Sequence, residues 1–232
     1  MTISALELRL HVSDSIGSVS AVLARPPDAW LLYVLAHGGG AGMRHRFLES
    51  ISGALADRGV ATLRYQFPYL EAGRKRPDYP SVLEATVRAA AAKAAVLAPE
   101  LPIIAGGKSL GGRMTSAAMA AAPLPSVRGL VFLGFPLHPP GQPGTSRADH
   151  LDRVDVPMLF LQGIRDSFAR IDLITDVCEG LEPNATLHVV EGGDHSFAVP
   201  KRSGRTPLEV MGELVDTTVE WARSQVLGRV GA

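Results

Sequence analysis

Apolar and polar positions alternate over residues 6–12 (LELRLHV) and again over 18–24 (SVSAVLA), with Ser15-Ile16-Gly17 between them. A period of two marks strands with one covered face, and the short Gly-containing break predicts a β-hairpin. At residues 31–36 (LLYVLA) the pattern becomes an unbroken apolar run ending in His37-Gly38-Gly39-Gly40. Strands covered on both faces read this way, as in parallel sheets.

From there the periodicity alternates between 3.6 and continuous apolar. Residues 46–58 carry Leu48, Ile51 and Leu55 at helical spacing and stop at Gly59; residues 60–65 read as a strand. Ser81-Val82-Leu83-Glu84 has the form of a capping box and predicts a helix to about Leu97. Strands are expected over 101–105, 127–134, 156–162 and 185–191, and helices over 109–121 and 171–180. A second box, Thr206-Pro207-Leu208-Glu209, predicts a last helix with Leu208, Met211, Val215, Val219 and Ala222 along one stripe. A leading hairpin followed by six strands alternating with helices predicts an α/β, three-layer sandwich. Its sheet would have about eight strands and be mostly parallel. No repeat or linker divides the chain, so one domain over residues 1–232 is expected. The long irregular stretch 136–153 reads as a surface loop with at most a short helix. It is too short for a large cap.

Composition narrows the partners. The chain has 232 residues, 46% hydrophobic and 20% charged, enough to build a full core. Its 23 basic and 23 acidic residues balance, so nothing draws the whole molecule to nucleic acid or an anionic membrane. The single Cys178 allows neither an internal disulfide nor a thiolate-rich zinc site. Residues 1–10 lack the basic-then-apolar pattern of a secretory leader, and no run reaches the length of a membrane span. A cytoplasmic protein without metal or organic cofactor is the expectation; oligomeric state is not legible.

The chemistry concentrates in Gly106-Gly107-Lys108-Ser109-Leu110-Gly111-Gly112. Gly107-x-Ser109-x-Gly111 between a strand and a helix is the setting of a nucleophile elbow, where the chain reverses so sharply that residues two away from the serine must be small. A serine hydroxyl needs a base. His195, in Gly192-Gly193-Asp194-His195-Ser196-Phe197, follows the last strand and so lies at the same carboxyl edge of the sheet. Asp166, after the preceding strand, is placed to orient that histidine, with Asp172 as the alternative carboxylate. The order Ser109, Asp166, His195 is that of α/β-hydrolases. The oxyanion would be held by the N–H of Leu110 and by that of Gly39, or of Gly40 next to it, on the glycine-rich loop. His37 is expected to pin that loop, Asp194 to shape a turn, and Cys178 to be buried in a helix.

These pieces resemble the α/β-hydrolase superfamily over nearly the whole chain from about Leu31. AHGGGAGM (36–43), RYQFPYLEAGRKRPD (64–78), GGKSLGGRM (106–114) and GGDHSF (192–197) are similar to a small cap-less group. That group is related to dienelactone hydrolases and to the hydrolase-like domain of a chromatin acetyltransferase complex subunit. The resemblance implies the fold and the triad. Dienelactone hydrolases carry a cysteine nucleophile where this chain has Ser109, so their lactone chemistry does not transfer.

The reading is therefore a serine hydrolase of small carboxylic esters or thioesters working through an acyl-enzyme. A silent scaffold of the same fold and an acyltransferase are the alternatives. Met43, Arg44 and Lys108 are candidate substrate-binding residues. Arg46, Arg74, Lys75, Arg76, Arg113, Lys201, Arg202 and Arg205 also fall near the catalytic edge, where they would form a positive rim for an anionic substrate or else pair with acids such as Glu71 and Asp78.

Overall fold

The computed structural model describes residues 5–124 and 126–228. The reading of residues 1–10 thus falls partly outside the described residues. Eight strands form one sheet: β1 (Ala5–Ser13), β2 (Gly17–Ala24), β3 (Leu31–Ala36), β4 (Val60–Tyr65), β5 (Ile103–Lys108), β6 (Val127–Leu133), β7 (Met158–Gly163) and β8 (Ala185–Val190). Their spatial order is β1-β2-β4-β3-β5-β6-β7-β8. The β1–β2 hairpin pairs antiparallel and joins antiparallel to β4, while all later neighbours are parallel.

Side-chain alternation on β3 explains the layers. Leu31, Tyr33 and Leu35 enter one core and Leu32, Val34 and Ala36 the other, so every residue of the strand is buried. The first core is closed by α1 (Arg46–Ala56) and α6 (Pro207–Trp221). On the opposite face lie α2 (Pro68–Glu71), α3 (Pro80–Leu97), α4 (Leu110–Ala121) and α5 (Ile171–Gly180). The chain after α6 widens into π-helical turns over Ala222–Leu227.

Some expectations need correction. Ser81 does not cap α3: Pro80 takes the first helical turn behind Tyr79, and no side chain caps the end. Leu208 does not join the buried stripe of α6 but stands 81% exposed at its start, while Val210, Leu214, Val215 and Val219 are buried. Thr206 and Glu209 do form the reciprocal capping box. The stretch 136–153 carries two 3-10 turns, Ser146–Ala148 and Leu151–Arg153, and is not all surface, because Leu137, His138, Ala148 and Leu151 are buried. It forms no cap. No helix among the described residues is long and apolar enough to cross a membrane.

Successive strands are added first on one side of β3, as β4, and then on the other, as β5. The loops after β3 and β5 therefore diverge at their carboxyl ends. Open α/β sheets leave a crevice at such a switch point.

Candidate active site

Ser109 sits between β5 and α4 with φ 49° and ψ −114°, a strained left-handed conformation for a residue with a side chain. The flanking glycines are required by packing against β3. A Cβ on Gly107 would come within 2.2 Å of the Ala36 carbonyl oxygen, and one on Gly111 within 2.6 Å of that of His37. The expected crowding is thus between the elbow and the neighbouring strand more than between the two glycines themselves.

Three strand ends bring the polar groups together. His195, after β8, places Nε2 2.9 Å from Ser109 Oγ and Nδ1 2.7 Å from Asp166 Oδ2. The Asp166 side chain, after β7, is fully buried and that of His195 is 20% exposed. Asp172 instead pairs with Arg170. Two groups the sequence did not single out hold the carboxylate. Gln162 donates from Nε2 to Asp166 Oδ2 at 2.6 Å while its Oε1 accepts the Phe135 N–H, and the Phe168 N–H donates to Oδ1 at 2.7 Å. The Phe168 ring lies against the His195 ring at 4.4 Å between centroids. Their signal in sequence was only proximity to β7.

The loop after β3 supplies the other wall. His37 Nε2 accepts the Phe67 N–H at 3.0 Å, leaving Nδ1 to donate to the Gly38 carbonyl at 2.7 Å. Burial pushes the pKa of this imidazole down to about 4, so it stays neutral. Tyr69, on α2, donates to the Gly39 carbonyl at 2.8 Å. With that carbonyl held, the Gly39 and Gly40 backbones border the same cavity as Leu110, at the N-terminus of α4. Among the described residues, the N–H groups of Gly39, Gly40 and Leu110 donate to no backbone carbonyl.

Lys108 runs inward beneath the site. Its Nζ donates to the His195 carbonyl at 2.5 Å and lies 5.3 Å from the centroid of Phe197. Burial lowers its pKa to about 8, against the opposing pull of Asp166 and Asp194. Asp194 Oδ1 accepts from the Ser196 and Ala198 N–H groups, shaping the turn that carries His195.

A cavity of about 610 Å³ opens above Ser109, lined by the Gly38–Ala41 loop, His45, Phe47, Leu48, Pro77, Lys108, Leu110, Arg113, Pro136, Arg147, Phe168, His195 and Ser196. Met43 and Arg44 are not on this wall, contrary to expectation. They line a separate recess of about 290 Å³ with Gln66 and Glu71; the Met43 N–H bonds Gln66 Oε1, and Arg44 pairs with Glu7. The reason is that the chain turns away after Ala41, with Gly42 packed against Gln66. Most of the expected basic rim is likewise absent from the wall. Arg74 pairs with Asp78 and Arg205 with Glu213, and neither Lys75, Arg76, Lys201 nor Arg202 borders the cavity.

A second serine–histidine contact exists, Ser116 Oγ to His150 Nε2 at 2.7 Å. Ser116 is fully buried within α4 and also bonds the Arg113 carbonyl, and no carboxylate bonds His150 among the described residues. It lacks the exposure a nucleophile needs. Cys178, buried on α5, has its thiol pKa pushed up to about 12 and is inert in the same sense.

A doubly covered, mostly parallel sheet with a strained serine elbow at its carboxyl edge defines an α/β hydrolase. The chain belongs to that family: the family model described as alpha/beta hydrolase domain matches residues 29–223. Solved structures similar in fold include a dienelactone hydrolase from Anabaena variabilis, with TM-score 0.76 and 18% identity over 97% of this chain and 99% of that one. An alpha-beta serine hydrolase homologue from Coxiella burnetii matches at TM-score 0.73 and 18% identity over 94% and 98%. A serine hydrolase without lid from Xanthomonas campestris matches at TM-score 0.72 and 20% identity over 95% and 96%.

Proposed function

We propose that the protein is a serine esterase acting on small carboxylic esters or thioesters, with Ser109, His195 and Asp166 as its triad. The observation that carries this reading is the unbroken hydrogen-bonded line from Ser109 Oγ through the His195 ring to the buried Asp166. Ser109 Oγ attacks the substrate carbonyl as His195 Nε2 takes its proton, and Asp166 stabilises the imidazolium that forms. The oxyanion forms against the N–H groups of Leu110 and Gly39, with Gly40 adjacent, near the positive end of α4. Collapse of this intermediate breaks the bond to the alcohol or thiol, which leaves with the proton from His195. Water then attacks the acyl-enzyme, giving its proton to His195; a second collapse frees Ser109 and the carboxylic acid. The cavity lacks a lid and has a mostly apolar wall near Phe47, Leu48 and Phe168, which suits modest acyl or alcohol groups.

The test is labelling with a fluorophosphonate probe alongside hydrolysis of 4-nitrophenyl acetate and butyrate. Wild type is expected to label and turn over, and Ser109→Ala to do neither. Equal labelling of both proteins would overturn the assignment. Asp166→Asn should lower kcat by about 10⁴-fold with the fold kept.

A further inference from the structure

Among the described residues, three cations line the cavity wall: Lys108 is committed to the His195 carbonyl, while Arg113 and Arg147 are left unused by the triad. Arg113 lies one turn beyond Ser109 on α4, its backbone N–H bonded to the Ser109 carbonyl at 3.1 Å. Arg147 reaches the same wall from the 3-10 turn Ser146–Ala148. Both are only partly exposed. Several other arginines near this edge are paired, Arg44 with Glu7, Arg74 with Asp78, Arg170 with Asp172 and Arg205 with Glu213, and those that are not, such as Arg76 and Arg202, stand away from the cavity. Among the described residues, neither Arg113 nor Arg147 has an ion-pair or side-chain hydrogen-bond partner.

Their surroundings sharpen the point. Among the described residues, no Asp or Glu lines the cavity. His150 packs near Arg113 but is committed to Ser116, and Asp149 and Asp152 on that loop are exposed and bridge neither guanidinium. Burial lowers the pKa of Arg113, and the nearby charge of Arg147 lowers it further. Holding like charges together in a partly desolvated pocket is unfavourable unless an anion enters between them. Guanidinium forks match the planar, two-oxygen face of a carboxylate.

We propose that Arg113 and Arg147 form a carboxylate-binding subsite, so that the preferred substrates are small esters bearing a second, free carboxylate that lies in the same cavity as the scissile carbonyl. For its catalytic meaning this rests on the Ser109 reading. The subsite itself does not.

Two measurements separate them. The first compares kcat/KM for 4-nitrophenyl monoadipate with that for its methyl ester, and for 4-acetoxybenzoate with that for its methyl ester, placing the charge on the acyl or the alcohol side. In at least one pair the anionic ester should be favoured about tenfold or more at low salt, less at high salt. Arg113→Gln and Arg147→Gln should each bring that ratio toward one. A wild-type ratio of one or below in both pairs, or a preference that survives in the double variant, would overturn the subsite. The second is calorimetric binding of adipate to Ser109→Ala protein, which needs no turnover. Binding that weakens about tenfold on adding Arg147→Gln supports the subsite, and absence of adipate binding to Ser109→Ala overturns it. Fluorophosphonate labelling reports on Ser109 alone, so loss of labelling with adipate binding kept would remove the esterase reading and leave the anion site standing.

Discussion

Lys108 and His37 are ionisable side chains folded into places where their charged forms are disfavoured, and each makes stability depend on pH with a definite sign. Lys108 has its pKa lowered from 10.5 to about 8. Above pH 8 the folded protein has shed this proton while the unfolded chain keeps it, so stability rises with pH across that window, by roughly 3 kcal/mol in all. His37 falls from 6.5 to about 4. As pH drops below 6.5 the unfolded chain binds the proton first, so about 3 kcal/mol present at neutral pH is lost by pH 4. Urea unfolding of wild type against Lys108→Met from pH 7 to 10, and against His37→Gln from pH 7 to 4.5, should show each slope in wild type and not in its variant. An unchanged slope in either variant would assign the dependence to other groups. Gln162 is a third case. Gln162→Leu would strand the buried Phe135 N–H and remove a donor from Asp166, costing about 1–3 kcal/mol and lowering kcat. At this scale Ser109, Asp166 and His195 were legible because each follows an apolar strand in the right order. The Lys108 tether and the Phe168 ring against His195 were not, since they arise from contacts distant in sequence, and the grip of Gln162 was not, since one polar residue at the end of an apolar strand carries no pattern. Arg44 misled for the same reason, its partner Glu7 lying in the leading hairpin.

The elbow shows how an element's context decides what a glycine does. The sequence pattern ends the strand at Ala105, before Gly106 and Gly107. The chain instead stays extended to Lys108, paired with β3 on one side and β6 on the other, and only glycine fits there: a Cβ on Gly106 would fall 1.9 Å from the Val131 carbonyl oxygen and one on Gly107 2.2 Å from that of Ala36. Space around Gly111 is closed by backbone and by Ala36 Cβ at 2.7 Å, none of which can swing aside. Gly111→Ala should therefore destabilise by about 1–3 kcal/mol or more, and lower activity by displacing Ser109. Gly53, inside α1 with nothing within 4 Å of a new Cβ, provides the contrast. Gly53→Ala should raise stability by about 0.5–1 kcal/mol through helix propensity alone. Thermal melts of the two variants should move in opposite directions; a shared direction would discount the contact argument. Helix starts likewise depend on the neighbouring residue. Thr206-x-x-Glu209 closes its box, whereas the same pattern at Ser81 loses to Pro80, whose fixed φ begins the helix two residues earlier. The single turn of α2, whose Tyr69 reaches the Gly39 carbonyl, is too short to leave a periodic signal.

For the molecule as a whole, alternation of strands and helices announced the layered sheet, but not that β4 lies outside β3 and β5 inside it. With crossovers right-handed, that order follows from the face on which each connecting helix packs, α1 on one and α3 on the other, which the residue pattern does not record. It is also what creates the crevice where the loops after β3 and β5 part. The same sheet divides the apolar interior into two cores, α1 and α6 on one face and α2–α5 on the other. β3, β5, β6 and β7 send residues into both, so the layers share strands and neither can lose packing without loosening the common sheet. Ile51, on α1, and Ile103, on β5, lie in different cores. Ile51→Val and Ile103→Val should each cost about 1 kcal/mol. If the sheet couples the layers into one cooperative unit, the double variant will unfold in a single transition, with the two losses adding to within about 0.5 kcal/mol and the denaturant slope unchanged. Fluorescence and circular dichroism followed through the same urea titration would check this. Separate transitions by the two probes, each displaced by one substitution alone, would mean that the faces melt independently, and the elbow at their shared edge would then be held by only one of them.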